Sequence, residues 1–148
     1  MRRWSPFLAA LLVGCGTTDE PLPTACQGDA AQYARALRAA PDLVRLDRTT
    51  TLAECVRRST SDAELISLGT RLTTVGEELE LRGMRGERRA ALQLGYLIGA
   101  AQRAARDTPG IHAELAYRLE RSGAAIVGAP NDAERALQRG IAAGAARG

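Results

Sequence analysis

The chain has 148 residues, a formal net charge of +3, 45% hydrophobic residues and 3% aromatic residues. That length suits one domain, ordinary apolar content with low net charge excludes a disordered chain, and no apolar run reaches the ~18–20 residues needed to span a bilayer. All 20 basic residues are Arg, and the shortage of aromatics argues against an aromatic-lined ligand pocket.

Met1-Arg2-Arg3-Trp4-Ser5-Pro6 is a short basic start, residues 7–13 are an unbroken apolar run, and Gly14-Cys15 leads into the polar stretch Gly16-Thr17-Thr18-Asp19-Glu20. A positive start, a brief apolar core and a small residue before a cut site make a secretory signal, with Arg2 and Arg3 held on the cytoplasmic side. Seven apolar residues are too few for an uncleaved span. Trp4-Ser5-Pro6-Phe7-Leu8 fits a twin-arginine signal poorly, so the general export route is expected.

Leu12-Val13-Gly14-Cys15 resembles the lipobox of bacterial lipoproteins, a likeness confined to about the first sixteen residues. It implies a diacylglyceryl group on the Cys15 sulfur, cleavage after Gly14 and, often, acylation of the new amino terminus. The family is commonly sorted by the residue after the cysteine, and Gly16 is not the Asp associated with inner-membrane retention. The resemblance therefore implies the outer membrane of a two-membrane bacterium, or the outer face of the plasma membrane where there is one membrane. The alternative is a secreted protein whose signal merely contains a Cys. The expected organisation is a signal peptide at 1–14, a lipidated Cys and flexible tether at 15–25, and one helical domain at 26–148. Each buried acyl methylene contributes about 0.8 kcal/mol, so one chain binds reversibly and two or three hold firmly. Pro21 and Pro23 favour an extended tether, and ten residues reach at most about 33–36 Å.

Three cysteines are an odd number. Lipidating Cys15 would leave Cys26 and Cys55, an even pair that an exported domain can join; two unpaired thiols are the competing reading. Closing that loop of about 30 residues stabilises by roughly 3–4 kcal/mol in the chain-entropy picture. Two Cys and a lone His are too few soft ligands for zinc, so neither a metal nor a cofactor is expected. Removing Arg2 and Arg3 lowers the net charge to about +1, which takes away the main argument for nucleic-acid binding.

Helix signals follow one another. Asp29-Ala30-Ala31-Gln32 resembles a capping box, with Tyr33 and Leu37 sharing a face behind it and Pro41 closing the helix. Residues 43–46 read as an extended or turn piece. Thr51-Leu52-Ala53-Glu54 is a second box and Ser61-Asp62-Ala63-Glu64 a third. The third opens an amphipathic stretch with Leu65, Leu68, Leu72, Val75 and Leu79 at alternating three and four spacing, interrupted near Gly83 and Gly86. Ala90, Leu94, Leu97, Ala101 and Ala104 repeat the spacing over 87–106. There Gly95 and Gly99 mark a buried central helix that a neighbour can approach closely. Thr108-Pro109 supplies an N-cap and first-turn proline to a helix through Ile111, Leu115 and Leu119. Asn131-Asp132-Ala133-Glu134 starts the last helix, whose end is expected to fray at Gly140, Gly144 and Gly148. The fold class is all-α: a small bundle of four main helices plus one or two short ones.

Candidate sites are weak by comparison. His112 is the only histidine and is expected on the surface; Ser122 and Glu114 are available to it, but no triad spacing supports them. Glu77, Glu78 and Glu80 cluster on one helix without the Glu-x-x-His motif of a di-iron site, and Glu78 with Arg82 suits a helix ion pair. Arg82, Arg85, Arg88 and Arg89 form the densest basic run, and guanidinium forks match phosphates. Three functions stay open: an envelope protein-binding or structural module, an electrostatic binder of anionic lipid or envelope polymer through those four arginines, and an enzyme built around His112 or the glutamates. The first is expected, with the membrane reached through Cys15 and an envelope protein as partner.

Overall fold

The computed structural model describes residues 21–108, 110–130 and 132–148. Six α-helices occur among them: α1 (Ala30–Ala36), α2 (Leu52–Arg58), α3 (Asp62–Met84), α4 (Arg88–Asp107), α5 (Ile111–Ala124) and α6 (Ala133–Arg147). Four are long and two short, as the periodicity predicts, and no described helix is long and apolar enough to cross a membrane.

The three N-terminal signals each mark a helix start. Ser61 and Glu64 make the full reciprocal capping box of α3, satisfying two backbone donors that would otherwise lack partners. Asp29 caps α1 through Gln32 N at 2.8 Å, but the Gln32 side chain turns away to Ala25 O. Thr51 caps α2 through Glu54 N, while the Glu54 carboxylate pairs with Arg58. The start of α5 differs from expectation. Its N-cap is Gly110 in a left-handed conformation, φ 101°, which suits a residue without Cβ. Thr108 instead donates its hydroxyl to Ala104 O and finishes α4; Pro109 lies outside the described residues. Asp132 likewise precedes α6 without capping it and pairs with Arg135.

Leu65, Leu68, Leu72, Val75 and Leu79 are all buried. The facing apolar stripe comes from α4, which is buried on nearly every side because α2, α3, α5 and α6 all pack on it. Gly69 and Gly76 lie beside Leu115 and Leu119, and Gly83 beside Ile126, so α3 and α5 run in the same direction. The four long helices thus alternate up and down, with α4 parallel to α6.

The α4/α6 seam corrects one expectation. Gly140, Gly144 and Gly148 do not loosen the end of α6; all three are buried, and α6 continues to Arg147. A Cβ on Gly95 would stand 2.9 Å from Ile141 N and 3.0 Å from Gly140 Cα, and one on Gly99 would stand 2.6 Å from Ala145 N. A Cβ on Gly140 or Gly144 would reach within 2.8 Å of Tyr96 N or Ala100 N respectively. Glycines on both helices bring main chain against main chain, the geometry known from small-residue helix pairs in lipid but built here inside one bundle.

Before α2 the chain wraps the bundle as a strap. Thr24–Gln27 forms a 3-10 turn, Leu22 packs on the core, and Arg58 donates to Pro21 O at 2.9 Å. Residues 21–25, assigned to the tether by their prolines, are therefore part of the packed domain, and five residues (16–20) separate Cys15 from it. Cys26 and Cys55 are disulfide-bonded, with Cα atoms 5.3 Å apart. Farther on, Val44 N donates to the Tyr96 hydroxyl at 3.0 Å, and an isolated bridge pairs Arg45 with Thr51.

Candidate functional site

Cys15, the expected lipid attachment point, lies outside the described residues. The other candidates divide between the two ends of the bundle.

The end nearer the strap holds the N-termini of α3 and α5. His112 is buried here, only 6% exposed, with Nε2 2.9 Å from Ser59 O. The surface position expected of it fails because α2 ends directly above the first turn of α5. The last carbonyls of a helix need donors, and the imidazole N–H supplies one. Its partner is a main-chain oxygen, so it joins two helices; Ser122 lies about three turns farther along α5. No nucleophile–base pair forms at His112 among the described hydrogen bonds.

Nothing in the sequence pattern marks the groove at this same end. It has a volume of about 230 Å³ and runs between α3 and α5. Leu65, Gly69 and Leu115 form its floor, and Ile66 and Ile111 its walls. Ile66 is 66% exposed and Ile111 48% exposed, two of the six large hydrophobic side chains exposed among the described residues. Its hydroxyls are spent on the helix that carries them: Thr70 donates to Ile66 O at 2.8 Å and Thr73 to Gly69 O at 2.9 Å. The two charged residues at its edge, Glu114 and Arg118, pair with each other at 2.8 Å. A glycine in the floor, with threonine methyls rather than long side chains around it, leaves the space open. Hydrophobic periodicity reports which side chains are apolar, not where they fail to fill a gap.

The arginine run lies at the opposite end, around the α3–α4 turn where Gly86 takes φ 85°. The four side chains do not act together. Arg82 forks onto Glu87, with Nε 2.8 Å from Oε2, and also meets Glu78 at 3.7 Å. These hydrogen bonds hold the Glu87 carboxyl below the usual carboxylate range and raise the Arg82 guanidinium further. Arg89 reaches back to donate to Arg38 O. Arg85 and Arg88 project into solvent without an ion pair among the described residues, and Arg88 and Arg89 share a shallow surface with Leu92 and Arg139. Glu77 and Glu78 are exposed, and no group of three or more His, Cys, Asp or Glu able to hold a metal occurs among the described residues.

Two buried phenols fasten the strap and loop. Tyr33 donates to Cys26 O at 2.8 Å, and Arg71 donates to the same oxygen at 3.2 Å. Burial pushes the Tyr33 phenol up to about 12, with Arg71 pulling the other way. Burial also raises Tyr96, against the N–H of Val44. No protein-family profile, curated protein or solved structure matches this chain.

Proposed function

We propose that this chain is an exported lipoprotein of the bacterial envelope, acylated on Cys15, whose helical domain is a binding or structural module rather than an enzyme. The observation that carries the reading is Leu12-Val13-Gly14-Cys15 at the end of a seven-residue apolar run behind two arginines. The Cys26–Cys55 disulfide supports it, because such bonds persist in oxidising compartments and are rare in the cytosol. With that pair joined, Cys15 is the one cysteine left for a thioether. Gly16 after the cysteine favours the outer membrane where two membranes exist. Detergent phase partition tests the anchor: the wild type enters the detergent phase and Cys15→Ser stays in the aqueous phase. Equal aqueous partition, or an intact mass showing a bare Cys15 or a retained leader, refutes it.

The exposure of Arg85 and Arg88 beside Arg89 and Arg139 favours one further reading, a basic face for anionic lipid or envelope polymer. It predicts binding that weakens with salt and falls in Arg85→Gln/Arg88→Gln. Binding indifferent to both changes excludes it.

A further inference from the structure

From the groove between α3 and α5 we infer a membrane-contact surface, one that takes up the hydrocarbon of the leaflet in which the Cys15 anchor is embedded. The inference rests on the lipoprotein reading above and gives that anchor a second, non-covalent contact.

Three observations carry it. The first is chemical. The groove offers Leu65, Ile66, Ile111 and Leu115, while its threonine hydroxyls and its Glu114–Arg118 pair are already satisfied. The hydroxyl protons of Thr70 and Thr73 go to their own helix and the one charged pair sits at the rim, so the interior of the groove is apolar, and a hydrocarbon needs no hydrogen-bond partner there. The second is the place where the chain enters the domain. Pro21 O is bound by Arg58, and the next residue, Ser59, accepts from His112 beside Ile111. Entry point and groove therefore share one end of the bundle. The third is length. From Cys15 to Pro21 the chain spans at most about 20–22 Å. By contrast α3, with 23 residues, is about 34 Å long. The anchor therefore holds the Ile66–Ile111 end near the bilayer and leaves Arg85, Arg88 and Val127 at the remote end.

Exposed isoleucines at an interface bury apolar area in the region between head groups and acyl chains. Ile66 and Ile111 contribute little to the core, so substituting them leaves the fold intact.

The test exploits the single tryptophan of the sequence, Trp4, which signal cleavage removes. Ile66→Trp, Ile111→Trp and Val127→Trp each place one indole in the mature, lipidated protein bound to phosphatidylcholine vesicles with or without brominated acyl chains. Lipidation of each variant is verified by intact mass and its helicity by circular dichroism. The expected result is blue-shifted emission and bromine quenching at positions 66 and 111, and neither at Val127→Trp, which reports the remote end. Lipidated, vesicle-bound protein with all three indoles in water overturns the groove proposal and leaves the anchor standing. Quenching at position 127 alone overturns it too, by placing the other end on the bilayer. A bare Cys15 overturns the anchor and the groove proposal together. The two groove variants sit on different helices, so a folding defect in one leaves the other to decide.

Discussion

Gly99→Ala is the sharpest probe of the α4/α6 seam. In an isolated helix the change helps, because Ala is favoured over Gly by about 0.8–1 kcal/mol. Here the new methyl would stand 2.6 Å from Ala145 N and closer still to Ile141 O, whereas non-bonded carbons and their neighbours rest at ~3.5–4.0 Å. Both obstacles are main-chain atoms, so no side chain can rotate away and the two helices must part. Overpacking of this kind costs typically ~1–3 kcal/mol, and a gap opened along the seam loses dispersion contacts as well. The net effect expected is a destabilisation of about 1–2 kcal/mol. For a domain of this size that lowers Tm by roughly 3–8 °C. Gly69→Ala is the matched control. Its methyl would meet only Leu115 Cδ1 at 3.9 Å, so the propensity gain survives and stability rises by about 0.5–1 kcal/mol. Thermal and urea unfolding followed by circular dichroism reads both. A Gly99→Ala protein as stable as wild type, or shifted upward like Gly69→Ala, would refute the backbone-contact account.

The remaining predictions concern the strap and its tyrosine. Reducing the Cys26–Cys55 bond, or replacing both cysteines with Ser, lowers the unfolding free energy by about 3–4 kcal/mol; a midpoint unchanged by reductant counts against the bond. At alkaline pH the sign follows from Tyr33, whose phenol burial pushes up to about 12 in the folded chain, above the usual tyrosine value of about 10. The unfolded chain loses its phenolic proton first. This contribution is therefore fully present below pH 10 and is lost as pH rises towards 12, at a cost of roughly 2–3 kcal/mol. Tyr33→Phe starts less stable and declines less steeply, and denaturant titrations across that range separate the two. At the acid end Glu64 and Glu87 act in the opposite sense. Their lowered pKa values, set by hydrogen bonds from Ser61 and from Arg82, add stability above the ordinary carboxylate range that disappears as pH falls through the lowered values.

The helices that the sequence revealed are those whose contact faces are made of large side chains. Leu65 to Leu79 of α3 mark their stripe at every turn, and Ser61 with Glu64 marks where it begins. The contact face of α6 does not show in the sequence, because Gly140 and Gly144 carry no side chain to register in an apolar pattern. The usable sign was a four-residue glycine spacing that matches Gly95 and Gly99 on α4, two helices earlier. The burial of His112 is hidden for a related reason: its partner, the carbonyl of Ser59, lies 53 residues away, and a main-chain oxygen leaves no mark on residue type. Pro21 and Pro23 read as linker, because the Arg58 contact that pins the strap lies 37 residues away in sequence. For the candidate site, the disulfide pair followed from cysteine arithmetic. The groove did not, since an unfilled space is a property of two helices together and belongs to neither alone.

Helices that touch through side chains can shift against each other, because rotamers readjust to a new register. Where α4 meets α6 the closest approaches are main chain on main chain, and no rotamer change relieves a shift of register at those points. The spacing of α3 and α5 is set instead by side chains, with Leu115 and Leu119 lying against Gly69 and Gly76. The contact with the least room for adjustment is therefore made from the protein's smallest residues, and the open groove lies where side chains set the spacing.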